Sequence, residues 1–378
     1  MRKLGLVLAT LALLALAFPL TAIPAEEPIK IGVCEPMTGS MAAGGQMTWE
    51  GIVLAQEMLP TILGRPVKLI LADNKSDKVE SANAVAKLVE QDKVVAIIGS
   101  YGSSNTMAGG EVAEKAGVPM ISDSATNPMV TQGKKFIFRA CFIDPFQGEV
   151  MAKYAFNNLK LTKVAILKDV AQDYSVGLAA YFKKTFTALT GNPKAVVAEV
   201  AYQTGDQDFS AQLTQVISAK AEALFVPGYF GDMALVAKQL RALGSNIHLM
   251  GGDAIDAPEL VSIGGKAAEG IVFSTFYSAD APGSAAAKKF VDAFKAKYGK
   301  TPNANGALGF DTFNILVDAI RRAGSANSKA IRDALATTKN FDAVTGLTTI
   351  DESGDAVKDA VILRVENGKF KYVATVKP

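Results

Sequence analysis

An α/β chain with two doubly wound, Rossmann-like lobes is what the sequence predicts, on three observations. Short β-rich runs alternate with segments of helical period through most of the chain, the pattern of parallel sheets covered by helices on both faces. The 378 residues exceed what one ordinary hydrophobic core organises. No low-complexity linker separates the halves, so two lobes are expected to share several crossings of a hinge.

The expected strands are IKIGVC, VKLILAD, VVAIIGS, VPMISD, FIFRAC, KVAILKD, AVVAEVAY, ALFVPG, HLMGG and GIVFSTF. Between them SANAVAKLVEQ, GEVMAKYAFNNL, FSAQLTQVISA and DMALVAKQLRALG place apolar residues every three or four positions, as helices do. Gly117-Val118-Pro119 and Gly244 fall where helices should stop. After GIVFSTFYSADAPG the pattern changes to two long helices, SAAAKKFVDAFKAKYG and NGALGFDTFNILVDAIRRAG, and a shorter one from near Ser328. The closing AVILRVENGKFKYVATV reads as a hairpin turning at Glu366-Asn367-Gly368.

The first 25 residues read as a secretory signal peptide. Arg2 and Lys3 precede an apolar run from Leu4 to Leu20, and Thr21 to Ala25 form a small-residue exit, with cleavage expected after Ala22 or Ala25. The apolar run is barely long enough to span a bilayer and is not repeated downstream. Cys34 lies beyond Glu26, Glu27 and Lys30, outside that run, which argues against a lipid anchor. The mature protein is therefore expected to be exported, soluble and extracytoplasmic, as in a periplasm.

Losing Arg2 and Lys3 leaves 37 basic residues against 37 acidic ones. With no polybasic run, neither nucleic acid nor an anionic membrane is an expected partner. A single histidine, His248, and two cysteines rule out a zinc cluster or a histidine-dependent triad of the usual kinds. No catalytic residue, metal or cofactor is expected, and His248 reads as structural. Cys34 and Cys141 are too few for a disulfide framework, and whether they pair is open.

One loop carries chemistry. VVAIIGSYGSSNTMAGG runs from a strand through glycines into a helix start, yet its glycine spacing fits neither a dinucleotide fingerprint nor a phosphate loop. What remains is a helix N-terminus near Ser103 with hydroxyls from Ser103 and Ser104. Such an end binds one anion through its free N–H groups, unless Ser103 simply caps its helix. The next loop, VPMISDSATNPMVT, ends its strand in Ser122 to Thr126. In a doubly wound lobe the two strand ends are close, so Ser103 and Thr126 can share a carboxylate while the Ser124 carbonyl accepts from an ammonium. LVEQDKVVAIIGSYGS and VISAKAEALFVPGYFGD echo each other, as two related lobes would when matching strand ends face across a cleft.

These residues match a family. IKIGVCEPMTGSMAAGGQMTWEG, GSYGSSNTMAGGEVAEKAGVPMISDSATNP, FRACFIDPFQG, FVPGYFGDMALVAKQLRALG, MGGD and AAEGIVFSTF fall in order. The chain resembles, over its whole mature length, the periplasmic substrate-binding proteins of ABC transporters, of the leucine/isoleucine/valine-binding type. The resemblance implies a Venus-flytrap fold with three hinge crossings, one lobe at 28–143 plus 275–350, the other at 144–274 plus 351–378. It implies that the first lobe holds a ligand carboxylate and part of its ammonium through Ser103, Ser124 and Thr126, with Tyr101 and Gly102 near the side chain. The second lobe then closes with Tyr174 and Tyr229 and offers Asp253 to the ammonium. Both charges of a zwitterion need such partners, because an unpaired buried charge costs several kcal/mol.

The chain departs from the family at Ala42 to Gly45, which replace an aromatic of some relatives. Pro227-Gly228-Tyr229-Phe230 replaces a longer turn, and Asp253 stands at the usual glutamate position. The implied function is a monomeric, non-enzymatic receptor delivering an amino acid to an ABC permease. The alternatives are a receptor for another small carboxylate or amide, or a sensory ligand-binding protein.

Overall fold

The computed structural model describes residues 27–281 and 285–378. The first sheet contains β1 (Ile29–Glu35), β2 (Thr61–Ile62), β3 (Arg65–Asp73), β4 (Ala96–Gly99), β5 (Met120–Ser122) and β6 (Ile137–Arg139). They lie in the order β2-β3-β1-β4-β5-β6 and run parallel except for β2. The second sheet begins with β7 (Val164–Asp169), β8 (Val196–Tyr202), β9 (Ala223–Val226), β10 (His248–Gly251) and β11 (Val272–Thr275). A small antiparallel sheet follows, of β12 (Phe341–Ala343), β13 (Gly346–Ile350) and β14 (Ala356–Val357). The hairpin of β15 (Ala360–Glu366) and β16 (Lys369–Val376) returns to the second sheet, giving the order β16-β15-β11-β10-β9-β7-β8. Its turn has Asn367 and Gly368 both at positive φ, the two-residue geometry that Asn-Gly favours.

In both sheets the chain starts inside and winds outward in both directions. β1 lies between β3 and β4, and β7 between β8 and β9. Connections leave such a pair toward opposite faces and open a crevice at the strands' carboxyl ends. Those ends are Glu35 and Gly99 in the first lobe, Asp169 and Val226 in the second. The central strands AIIG and ALFV are buried along their whole length, as helices on both faces require.

The helices α1 (Ala42–Met58), α2 (Lys78–Glu90) and α3 (Ser103–Ala116) cover the first sheet, and α4 (Asp144–Lys153), α5 (Asp173–Thr190), α6 (Ser210–Ser218), α7 (Phe230–Ala242) and α8 (Pro258–Gly264) the second. Then α9 (Ala285–Tyr298), α10 (Ala304–Ala323) and α11 (Ser328–Leu335) return to the first lobe. Local chemistry sets several boundaries. Asp77 caps α2 by accepting from the N–H groups of Val79 and Glu80, and α3 stops where Gly117 turns left-handed. Trp49, half-buried on α1, packs on the first lobe's core, the cluster that includes Ile52 and Phe313.

The chain crosses between the lobes three times, after Arg139, after Thr275 and between Val357 and Ala360. Phe142 and Phe276, on the first two crossings, pack together with ring centres 4.3 Å apart and planes tilted by 38°. The last crossing corrects the expected boundary at 350. Residues 351–357 stay with the first lobe because β14 pairs with β13 and Asp355 forms an ion pair with Arg139, 2.7 Å from its Nε. Nothing in composition marks that boundary. Cys34 and Cys141 are free, buried thiols, and His248 stands exposed at the start of β10. The signal peptide expected at 1–25 lies outside the described residues. Among the described residues no helix is long and apolar enough to cross a membrane, and no group of side chains has a metal-binding arrangement.

Helices α1 and α10 approach through glycines. A Cβ on Gly309 would lie 2.2 Å from the Thr48 carbonyl oxygen, and one on Gly51 would lie 2.0 Å from that of Gly306. Backbone on both sides leaves no side chain free to yield. Gly309→Ala is therefore expected to cost about 1–3 kcal/mol, seen as a lower urea midpoint with an unchanged slope.

Candidate functional site

The two crevices face one another and are closed. Helix α3 begins at Ser103, after Gly102, whose φ of +96° places it where glycine is favoured. The start of the helix is fixed from within. Thr106 donates its hydroxyl toward the Ser100 carbonyl at 2.6 Å and receives the Ser100 N–H at 3.2 Å. Ser103 Oγ accepts the N–H of Asn127 at 3.2 Å, so the two hydroxyl-bearing loops of the first lobe meet, as their neighbouring strands demand.

Arg139 explains why the second of these loops holds its shape. Its guanidinium is completely buried and donates to the carbonyls of Ala125 and Asn127 at 2.6 and 2.9 Å, and to Thr131 Oγ1 at 3.0 Å. Asp355 balances its charge. Thr126 is thereby suspended between two anchored carbonyls. Its buried hydroxyl lies beside the Asp144 carboxyl but makes no well-formed hydrogen bond. Ser124 Oγ donates to Asp123 Oδ1 at 2.5 Å, so its hydroxyl faces the lobe interior.

From the second lobe come Tyr174 on α5, Tyr229 just before α7, and Asp253 after β10. Tyr174 OH donates to Asp253 Oδ1 at 3.0 Å, and Gln147 Nε2 donates to the same oxygen at 2.5 Å. Burial pushes the Asp253 carboxyl up to about 7, against the opposing pull of these two donors. Burial likewise pushes the phenols of Tyr101, Tyr174 and Tyr229 upward, so all three stay protonated. The Tyr229 ring lies 5.8 Å from both Tyr101 and Tyr174, and its buried hydroxyl has no partner. A Cβ on Gly102 would lie 3.2 Å from that hydroxyl. The echoed Gly-Tyr strand ends thus confront each other across the cleft.

Of the eight residues singled out from the sequence, the structure brings Tyr101, Gly102, Tyr174, Tyr229 and Asp253 together, sets Ser103 against Asn127 and Thr126 beside Asp144, and turns the Ser124 hydroxyl toward Asp123. Three others are not marked in the sequence, and a fourth, Ser104, has a different task there. Gln147 and Asp144 sit at the start of α4, immediately after the first crossing, where no motif marks them. Both Asp144 oxygens are buried without a partner, and burial followed by the nearby Asp253 charge drives its carboxyl well upward. Arg139 lay inside a run read only as a strand. Ser104 was noted as a hydroxyl at the helix start, but its task is different. Its Oγ donates to Asp173 Oδ2 at 2.9 Å and accepts the Asp173 N–H at 3.0 Å, joining one lobe to the other. Asn127 Nδ2 donates to the Asp173 carbonyl at 2.8 Å and Tyr101 OH to that of Ala254 at 3.1 Å, completing the latch.

An open groove of about 490 Å³ lies elsewhere, near Asp256, Tyr277, Asn303 and Phe370. Among the described residues, none lining it has a buried polar atom lacking a partner, whereas the cleft has Thr126 Oγ1, Gln147 Oε1 and Tyr229 OH. Unpaired buried groups mark the place where a further partner belongs. The closed cleft is the candidate site.

Known proteins resemble this chain over most of its length. A family model described as periplasmic binding protein matches residues 28–369. The Leu/Ile/Val-binding protein homolog 3 of Brucella melitensis is 32% identical over 92% of this chain and 94% of its own. The crystal structure of a leucine binding protein, LivK, from Thermotoga maritima superposes with a TM-score of 0.90 at 46% identity, covering 93% of this chain and 99% of that one. The branched-chain amino acid transporter substrate binding protein LivJ from Streptococcus pneumoniae, in complex with isoleucine, gives 0.87 at 35% identity over 93% and 100%.

The Ser104–Asp173 contact holds the lobes together without facing the cleft's unpaired groups. Ser104→Ala is expected to weaken closure by about 1 kcal/mol, about fivefold in the closed-to-open ratio. Solution scattering would report it as a larger radius of gyration, and an unchanged profile would dismiss the latch.

Proposed function

The chain belongs to the periplasmic binding protein family, and we propose that it binds a branched-chain or other apolar α-amino acid between its lobes and delivers it to the membrane permease of an ABC importer. It is a receptor, not an enzyme, as the family is. In this reading it acts as a monomer after export through the signal peptide read from residues 1–25.

One observation carries the choice of ligand. The cleft sets an anion site against an acid. The first lobe offers the N-terminus of α3 with the hydroxyls of Ser103 and Thr126, a partner for a carboxylate that needs no lysine or arginine. The second offers Asp253, already held by Tyr174 and Gln147, for a charge-assisted hydrogen bond to an ammonium. The Ser124 carbonyl adds an acceptor at the same end. Tyr101, Gly102 and Tyr229 provide the wall for an apolar side chain, with Met41 behind Gly102. The ligands named for relatives, leucine and isoleucine, are of this class.

Binding and closure are linked because the ligand makes its second-lobe contacts only when the lobes meet. It stabilises the closed form by the worth of those contacts and no more. The closed form is then the surface that a permease reads.

A thermal-shift screen of amino acids and simple carboxylic acids tests the reading. At about 100 times its Kd a ligand adds about 2.7 kcal/mol to stability, and leucine, isoleucine or valine is expected to do so. Asp253→Asn should cost an α-amino acid about 2–5 kcal/mol of affinity. Unchanged affinity in that variant, or shifts from simple acids alone, would point to a receptor for another carboxylate.

The pH dependence has a definite sign. Asp253 must be ionised to meet an ammonium, and its carboxyl sits at about 7 before it does so. Binding below that pH expels a proton, so Kd should rise by up to about tenfold per pH unit as pH falls below 7 and stay flat just above it. Calorimetry in buffers of different ionisation enthalpy would detect the released proton.

A further inference from the structure

Two buried carboxyl groups lie directly beneath the first lobe's half of the cleft and have no place in the binding scheme above. Glu35 ends β1, at the switch point of the sheet, and Asp123 follows β5. Both are wholly buried. Glu35 Oε2 accepts the N–H of Tyr101 at 2.9 Å, and Asp123 Oδ1 accepts the Ser124 hydroxyl at 2.5 Å. Each therefore holds one of the two loops already assigned to the ligand. Their remaining oxygens, Glu35 Oε1 and Asp123 Oδ2, have no donor from any other group, and the two carboxyls lie within hydrogen-bonding reach of each other.

We propose that Glu35 and Asp123 share a single proton and act as a positioning pair that ties the Tyr101 loop and the Ser124–Thr126 loop into one unit. The proposal rests on the reading of those loops as ligand-binding. Two facing carboxylates in a buried site repel one another strongly. One proton turns that repulsion into an O–H···O⁻ bond, short and charge-assisted, and satisfies both orphan oxygens at once.

The surroundings offer no other remedy. Arg139, on the neighbouring strand β6, is committed to Asp355 and to loop carbonyls. Cys34 on β1 is a thiol pushed up to about 11 by burial, and hence neutral. Asp73 at the end of β3 is engaged by Thr38 and by the N–H groups of Met37 and Lys75. Tyr101, Cys141 and, across the cleft, Asp253 supply no positive charge either. Burial first, and then the Asp123 charge, holds the Glu35 carboxyl well above the usual range; burial does the same for Asp123.

The shared proton also serves the neighbouring anion site. As a dianion the pair would place two negative charges under the loops that receive a carboxylate, opposing the pull of the α3 N-terminus. As a singly charged pair it holds Tyr101 and Ser124 in place with half that field. Loss of the proton at high pH should therefore separate the loops and weaken binding, opposite in direction to the low-pH loss caused by Asp253.

Infrared spectroscopy of the ligand-free full chain at neutral pH, with protonated carboxyls identified by their shift in heavy water, tests the proton directly. Glu35→Gln and Asp123→Asn are each expected to remove one protonated carboxyl. An unchanged carboxyl signal in both folded variants would overturn the shared proton. Binding of L-leucine tests the positioning role. Glu35→Gln keeps an acceptor for Tyr101 N–H and gives hydrogens to Asp123, so it should bind at least about tenfold more tightly than Glu35→Ala and show a flatter alkaline limb than the wild type. Equal losses in Gln and Ala variants, with melting curves showing both folded, would overturn the role. If the wild type binds no amino acid, the proposed function fails while the infrared result still decides the proton.

Discussion

The cost of burying charge governs this molecule. Two lobes that shut on each other remove water from everything between them, so each polar group in the cleft must find a partner in protein or ligand. Much of the geometry answers that demand. Tyr174 and Gln147 converge on one oxygen of Asp253, Ser104 and Asn127 meet Asp173, and Tyr101 reaches Ala254. What is left unpaired is concentrated at Thr126, Tyr229, Gln147 and Asp144. In a cleft closed this way a buried group left without a partner is costly.

Precision in the first lobe comes from beneath the site. Arg139 fixes the carbonyls on either side of Thr126 and is itself neutralised by Asp355. Because Asp355 arrives from the small antiparallel sheet near the last hinge crossing, the cleft face and the hinge share a largely buried ion pair. Lys358, within that crossing, is buried as well, hydrogen-bonded to Thr345, whose hydroxyl reaches Asp311 at 2.7 Å. Buried ion pairs of this kind contribute little net stability but are costly to break, so they suit a place where backbone position must not drift.

The sequence made the fold legible because parallel strands buried on both faces leave continuous apolar runs, and amphipathic helices leave a period of three to four. IKIGVC, VVAIIGS and ALFVPG are strands for that reason, and the loops after the last two carry the aromatics that meet in the cleft. Weaker signals were lost. The short strands at 61–62 and 341–357 are partly exposed and lack a clear pattern, and the true position of the last crossing went with them. Gln147, Asp144 and Arg139 were equally invisible as site residues, since a helix start and a strand interior are ordinary places for such side chains.

The residues alone determined the architecture, the absence of a phosphate-binding glycine pattern, and the start of α3 at Ser103. Local pattern suffices for these, because periodicity and free helix N–H groups are properties of contiguous chain. Only the tertiary structure decided which lobe owns 351–357, that Ser104 latches the lobes, that Arg139 anchors the Thr126 loop, and that Glu35 faces Asp123. Those facts depend on residues 14 to 216 positions apart sharing desolvated space, and the energy of a buried charge is set by its neighbours, not by its place in the chain.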